Sequence, residues 1–192
     1  MAGCITYALG GISRDTGCKA GVGGIMSLYL IDADKVDITL PTVEEGTPAT
    51  GELKVTTIKN KTGAKWYEYS FNPNTGSMTS TFETDETRSY NVFTTEVALQ
   101  FMGQDSAKRM QIMAMCMNQT VAVVRDANGK YWLLGGNDKV VQASAATAVT
   151  GVGSKEFNGY TVTLSVEDNQ LPYEIPDTEW EKNKTHIQTK AA

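Results

Sequence analysis

The sequence predicts a mainly β fold, a sandwich or partly closed barrel of about nine or ten strands with one flanking helix at about 105–117. Three observations carry that prediction. Residues 90–101 (YNVFTTEVALQF) and 160–167 (YTVTLSVE) alternate apolar with polar side chains, the period of a half-buried strand. Residues 90–134 read as strand, helix, strand, tight turn, strand. Elsewhere Thr, Val, Gly and Tyr are frequent, and helical periodicity is scarce.

In chain order, 1–20 read as an irregular N-terminal arm interrupted by Gly10, Gly11 and Gly17. The glycines at 21, 23 and 24 lead into a buried strand at 25–31 (IMSLYLI), and Val36, Ile38 and Leu40 mark a second strand after an Asp-rich turn. Residues 41–51 hold two prolines and two glycines without a period, the mark of an exposed loop. A hairpin is expected from 52–59 (ELKVTTIK) and 65–71 (KWYEYSF) around Asn60–Gly63, with Tyr67, Tyr69 and Phe71 on one face and Trp66 on the other. The Thr-rich run 77–87 (SMTSTFETDET) has few apolar anchors and reads as an exposed strand pair or edge.

In the strand at 90–101, Phe93, Thr95, Val97, Leu99 and Phe101 share one face. Gly103 ends it, and Asp105 or Ser106 can cap the helix. Met110, Met113 and Met117 fall at i, i+3 and i+7, with Ile112, Met115 and Cys116 widening the stripe, so a helix buried on most sides is expected. An adaptable binding surface is the rival reading of that methionine run, which Met102 precedes. The continuous apolar run 120–124 (TVAVV) suits a strand covered on both faces, and Asn128-Gly129 signals a hairpin back through 130–134 (KYWLL). Residues 137–156 are mostly small, with a weak strand at 140–150 and part expected to be a mobile or partner-ordered loop. After the clean alternation at 160–167 comes a short edge strand at 171–175, where Pro172 fits. Residues 177–192 read as a polar tail with no core of its own, and the whole of 1–192 as a single domain.

Composition narrows the function. A net charge of −5 and scattered basic residues argue against phosphate-backbone binding as the main activity. No apolar run reaches the ~18 residues of a membrane-spanning helix, and no signal peptide is expected from the first residues. Cys4, Cys18 and Cys116 are an odd set without zinc spacing; Cys116 reads as a free core thiol in a reducing compartment, with a Cys4–Cys18 bridge as the lesser alternative. His186, the single histidine, lies in the polar tail, where no catalytic triad can be built around it. Asp32, Asp34 and Asp37 lack the glycine and distal Glu of a calcium loop, and Gly21–Gly24 open a strand where a phosphate loop would open a helix. No catalytic residue, metal or cofactor is expected.

The order of elements carries more than any site. The strand–helix–strand unit, NGKYWLLG, an Ala/Thr-rich loop, FNGYTVTLSVED and a closing LPYEI, with CKAGVGGIMSLYLIDADKV at the front, resemble tail tube (major tail) proteins of tailed phages infecting Bacteroidetes-type bacteria. The likeness spans about residues 18–175 and rests on patterned phrases. It implies a virion structural subunit, assembled in the host cytoplasm. Hexameric rings of it would stack into a tube with other tail proteins, and DNA would pass through without specific binding. Under that reading Phe71, Met78, Phe82 and Trp180 are the expected subunit-interface residues, with Trp180 either entering a neighbour's pocket or folding back on its own domain. Glu83, Asp85 and Glu86 are the expected lumen-facing acids, against the plainer reading of a solvated edge. Two rivals are a connector or terminator ring of the same architecture, and a monomeric carbohydrate- or protein-binding module with Trp66, Tyr67 and Tyr69 as an aromatic platform.

Overall fold

Residues 23–41, 53–72, 74–85, 90–136 and 138–188 are described by the computed structural model. The first half of the chain forms β1 (Ile25–Asp32), β2 (Val36–Thr39), β3 (Thr57–Asn60), β4 (Trp66–Ser70), β5 (Gly76–Asp85), β6 (Tyr90–Met102) and α1 (Ser106–Met117). There follow β7 (Thr120–Asp126), β8 (Tyr131–Leu134), β9 (Gln142–Val149), β10 (Gly159–Asp168), β11 (Tyr173–Ile175), α2 (Asp177–Asn183) and β12 (Ile187–Gln188). Six strands make a central sheet in the order β11-β8-β7-β1-β4-β12. Four make a second sheet, β5-β6-β10-β9, and β2 pairs with β3. The fold is mainly β and sandwich-like, with twelve strands, two α-helices and no closed barrel among the described residues.

The central sheet is covered on both faces, because β1 and β7 are apolar at successive positions. Leu28, Leu30, Ala122 and Val124 face the four-stranded sheet and meet Val97, Leu99, Val162 and Leu164 from it. Tyr29, Ile31, Val121 and Val123 point the other way, into a cluster with Val36, Ile58, Trp66 and Trp180. Three layers result. The alternation at 90–101 and 160–167 holds residue by residue: Val97, Leu99, Tyr160, Val162, Leu164 and Val166 are all buried.

Three expectations need correction. Segments 52–59 and 65–71 do not pair. β3 lies on β2 (Ile38 opposite Ile58), and β4 lies on β1 (Leu28 opposite Tyr69). The turn between them carries the chain from the outer pair to the central sheet, and both Ile58 and Trp66 reach the same core from different layers. Helix α1 is not buried on most sides: within it Met115 alone is fully buried, while Met110, Met113 and Met117 are exposed. It links β6 in one sheet to β7 in the other, so a single face, Ile112 and Met115, enters the core between them. Its N-cap is as expected, with Asp105 Oδ1 accepting from Lys108 N at 2.7 Å. The turn at Asn128-Gly129 uses positive φ at Gly129 only, and Asp126 Oδ1 accepts from Asn128 N and Lys130 N to hold it.

The third correction concerns the C-terminal segment, which has a core. Trp180 is 1% exposed, its ring 5.1 Å from Tyr29, 5.3 Å from Trp66 and 5.4 Å from Tyr131. Glu179 beside it is buried, with Oε1 accepting from Ile58 N at 3.0 Å and Oε2 paired with Lys182. That bond ties α2 to β3, and β12 then adds parallel to β4. The expected weak strand at 140–150 is β9, on the outside of the four-stranded sheet. The expected arm at 1–20, nearly all of the loop at 41–51, and the ends of the chain beyond 188 lie outside the described residues.

Three outcomes follow from this packing. Gly159 lies against the β6 backbone, where a Cβ would overlap Phe101 O and come within 2.9 Å of Phe157 Cζ. Gly159→Ala is expected to cost about 3 kcal/mol, read as a fall in Tm of roughly 6–12 °C in circular dichroism. Trp180→Ala empties a site ringed by three aromatics, at a cost of about 3–5 kcal/mol in urea unfolding. Burial raises the Glu179 carboxyl, but Lys182 and the Ile58 N–H outweigh it and leave it below its usual value. A depressed folded pKa gives stability that is present above the unfolded Glu value of about 4.3 and lost as pH falls through the folded one. Glu179→Gln should therefore flatten that acid limb of the stability curve.

Candidate functional site

The two sheets end differently. The six-stranded sheet finishes in short strands, β11 of three residues and β12 of two, with Pro172 and the Lys130–Glu174 ion pair beside β11. Short, charged and proline-flanked edges resist pairing with other chains. The four-stranded sheet ends in longer strands. β5 runs ten residues and β9 eight, each paired on one side only among the described residues. β9 (QASAATAV) is uncharged throughout and exposed at every position except Ala143. A long, uncharged edge strand is a template for strand addition, and β9 departs from regular pairing at one bulge, opposite Thr163 and Leu164.

Alternation gives this sheet an inner face on the core and an outer face in solvent. On the outer face stand Thr79, Thr81 and Glu83 from β5, and Thr94, Glu96 and Gln100 from β6. Thr161, Thr163 and Glu167 come from β10, and Thr147 and Gln142 from β9. The four strands hold five acids (Glu83, Asp85, Glu96, Glu167 and Asp168) and not one Lys or Arg. The chain's formal charge is −5, so this sheet alone accounts for the excess and the remaining residues balance. Asp168, at the end of β10 opposite Phe93, has its carboxyl pushed up by burial.

Of the residues expected at an interface, Phe82 is 52% exposed and packs on Phe93 with ring centroids 4.9 Å apart. Met78 and Phe71 are half-buried against this chain's own core, Phe71 edge-on to Phe101. Neither presents a free anchor. Trp180 folds back on its own domain, so it does not project toward a neighbour. Among the expected acids, Glu83 is exposed on the outer face, Asp85 ends β5 opposite Tyr90, and Glu86 lies outside the described residues. Sequence reasoning missed Glu96 and Glu167 as members of the same acidic face. Their signal was present in the strand period, since each stands on the polar side of a clean alternation.

Other chemistry finds little support in geometry. His186 is exposed in a 3-10 turn, and among the described residues no three His, Cys, Asp or Glu side chains gather as metal ligands. Cys116 is a half-buried free thiol, while Cys4 and Cys18 lie outside the described residues. The aromatic platform of the binding-module reading is not formed: Trp66 is fully buried on the opposite side of the sheet from Tyr67 and Tyr69. Those two tyrosines line a cleft of about 270 Å³ with Gln111, Met115 and Asn118. No described helix is long and apolar enough to cross a membrane. No family model, no curated protein and no solved structure matches this chain.

Proposed function

We propose that this chain is a virion structural protein, a tail tube subunit whose four-stranded sheet lines a DNA-conducting lumen. The observation that carries this reading is that sheet itself, with two long edge strands that pair on one side only among the described residues, and a polar outer face rich in Thr and Glu and free of cations. In a four-stranded antiparallel sheet β5 and β9 run in opposite directions. Rotation about an axis roughly along the strands keeps each direction, so β9 of one copy meets β5 of the next as an antiparallel pair. An even strand number thus lets copies join into one continuous antiparallel barrel.

In a six-copy ring, strands spaced about 4.8 Å apart and tilted about 35–45° give a backbone cylinder roughly 45–50 Å across. That is well beyond the size at which side chains fill a barrel. A wall carrying Glu83, Glu96 and Glu167 with no Lys or Arg repels a phosphate backbone, so DNA passes without adhering. The hydroxyl-rich remainder offers only neutral contacts.

Negative-stain electron microscopy of the purified protein at rising concentration, with sedimentation velocity alongside, tests the proposal. Rings with a central hole that stack into tubes are the expected result. Assembly that stops at one ring would favour a connector or terminator role. A uniform monomer over the whole range would sink self-assembly and move attention to the Tyr67–Tyr69 cleft as the site of a binding module.

A further inference from the structure

The two edges of the four-stranded sheet are staggered. Through β10, β9 lies level with Glu96–Met102 of β6, whereas β5 lies level with Tyr90–Leu99. The midpoint of β9 thus falls at Leu99 and that of β5 between Thr94 and Thr95, an offset of four to five residues. The register also fixes which backbone groups each edge turns outward. Gln100 N–H donates to Thr75 O and Gly103 N–H to Asn158 O, so even residues of β6 turn toward β5 and odd ones toward β10. Carried through the pairing, this alternation turns the N–H and C=O of Ala146 and Ala148 in β9, and of Met78 and Ser80 in β5, away from the sheet. All four residues stand in rows that face the core.

We propose that β9 of one copy docks on β5 of a second copy of this chain in a single register, with Ala148 opposite Met78, Thr147 opposite Thr79 and Ala146 opposite Ser80. The inference rests on the edge-to-edge joining put forward above and supplies its register. A slip of one residue would send every side chain to the wrong face, so the offset between copies is even. Four residues bring the two midpoints closest. That step is roughly 13 Å at ~3.3 Å per residue, across a sheet about 19 Å wide at ~4.8 Å per strand. Closing a ring over it tilts the strands by about 35°, the tilt of closed barrels. The hand agrees as well. Gln100 has its side chain on the outer face, and an L-residue so placed, seen from that face with β6 running up, turns its N–H and C=O to the right, toward β5. The right-hand edge is therefore the lower one. Joined copies then lean right-handed about the axis when the polar face is inside, the hand that strand twist imposes, and left-handed when it is outside. On the core-facing side, the small Ala148 leaves room for Met78.

Disulfide trapping reads the register directly. Thr147 and Thr79 turn their backbone groups into their own sheets, so across the seam they form a non-hydrogen-bonded pair with Cα atoms about 4.5 Å apart, within disulfide reach. Inside one chain β10 and β6 stand between them. The full chain with Cys4→Ser and Cys18→Ser serves as parent, and Thr147→Cys with Thr79→Cys is added to it. These side chains are exposed, so the variant should melt within about 2 °C of its parent. After oxidation, non-reducing gels should show a ladder of linked subunits that the parent lacks and that collapses on reduction. Thr147→Cys with Ser77→Cys, or with Thr81→Cys, sets the partners about 7–8 Å apart and should link at least about ten-fold less. A stronger ladder from either shifted pair would overturn the register. Dimers from Thr147→Cys alone would overturn it in favour of a two-fold β9–β9 contact. Rings or tubes in negative stain with no linkage in any pair would overturn this seam and leave the tube reading standing. Wild type that stays monomeric at every concentration would overturn both.

Discussion

The pairing of β1 with β7 at the centre of the six-stranded sheet sets what every other layer must do. Both strands are buried at successive positions, so each face of the sheet presents apolar side chains that need cover. Each such side chain contributes about 1.5–3 kcal/mol when buried. The four-stranded sheet covers Leu28, Leu30, Ala122 and Val124; the β2–β3 pair and α2 cover Tyr29, Ile31, Val121 and Val123. Trp180 completes the second cover. It joins three other aromatic rings at angles between tilted and edge-on, the geometry that ring quadrupoles favour. Tyr29 belongs to both the strand and the cluster; burial and the neighbouring Glu68 push its hydroxyl up to about 12, so it stays neutral and donates to Glu68.

That demand for cover explains why the polar-looking C-terminus folds. In Asp177–Asn183 Trp180 is the lone large apolar residue, too little for a helix to stand alone. The anchor comes from Glu179, whose carboxylate satisfies the Ile58 N–H at the edge of the two-stranded sheet. A buried acid with a backbone donor and Lys182 as partners fixes the helix where the indole must go. The ring and that hydrogen bond anchor the helix, and beyond it β12 pairs with β4 and sets Ile187 against the same cluster.

Much of the fold was legible because strands declare their faces at short range. The alternation in 90–101 and 160–167 placed the inner row of the four-stranded sheet correctly, and TVAVV announced a strand covered twice. What failed was long-range. Segments 52–59 and 65–71 look like hairpin arms, yet their partners lie in β2 and β1, and nothing local in Ile58 or Trp66 tells which sheet each joins. The helix was misjudged because periodicity counts apolar residues without saying what lies opposite them. Met110 and Met113 follow the same spacing as a buried stripe, and the isolated chain leaves them bare. The candidate site was half legible: Glu83 and Phe82 were named from their segment, while Glu96 and Glu167 joined them only once register set β5, β6 and β10 side by side.

The contrast between the two sheets bears on how copies would meet. A two-fold pairing is isologous, so β9 on β9 would satisfy one edge of each copy and leave both β5 edges bare. A heterologous pairing of β9 with β5 avoids that difficulty. Each copy offers one edge of each kind, so every contact made leaves its complement open for the next copy. Such a contact stops only when rotation closes the ring. The absence of lysine from both edge strands removes the commonest device by which sheets refuse that outcome.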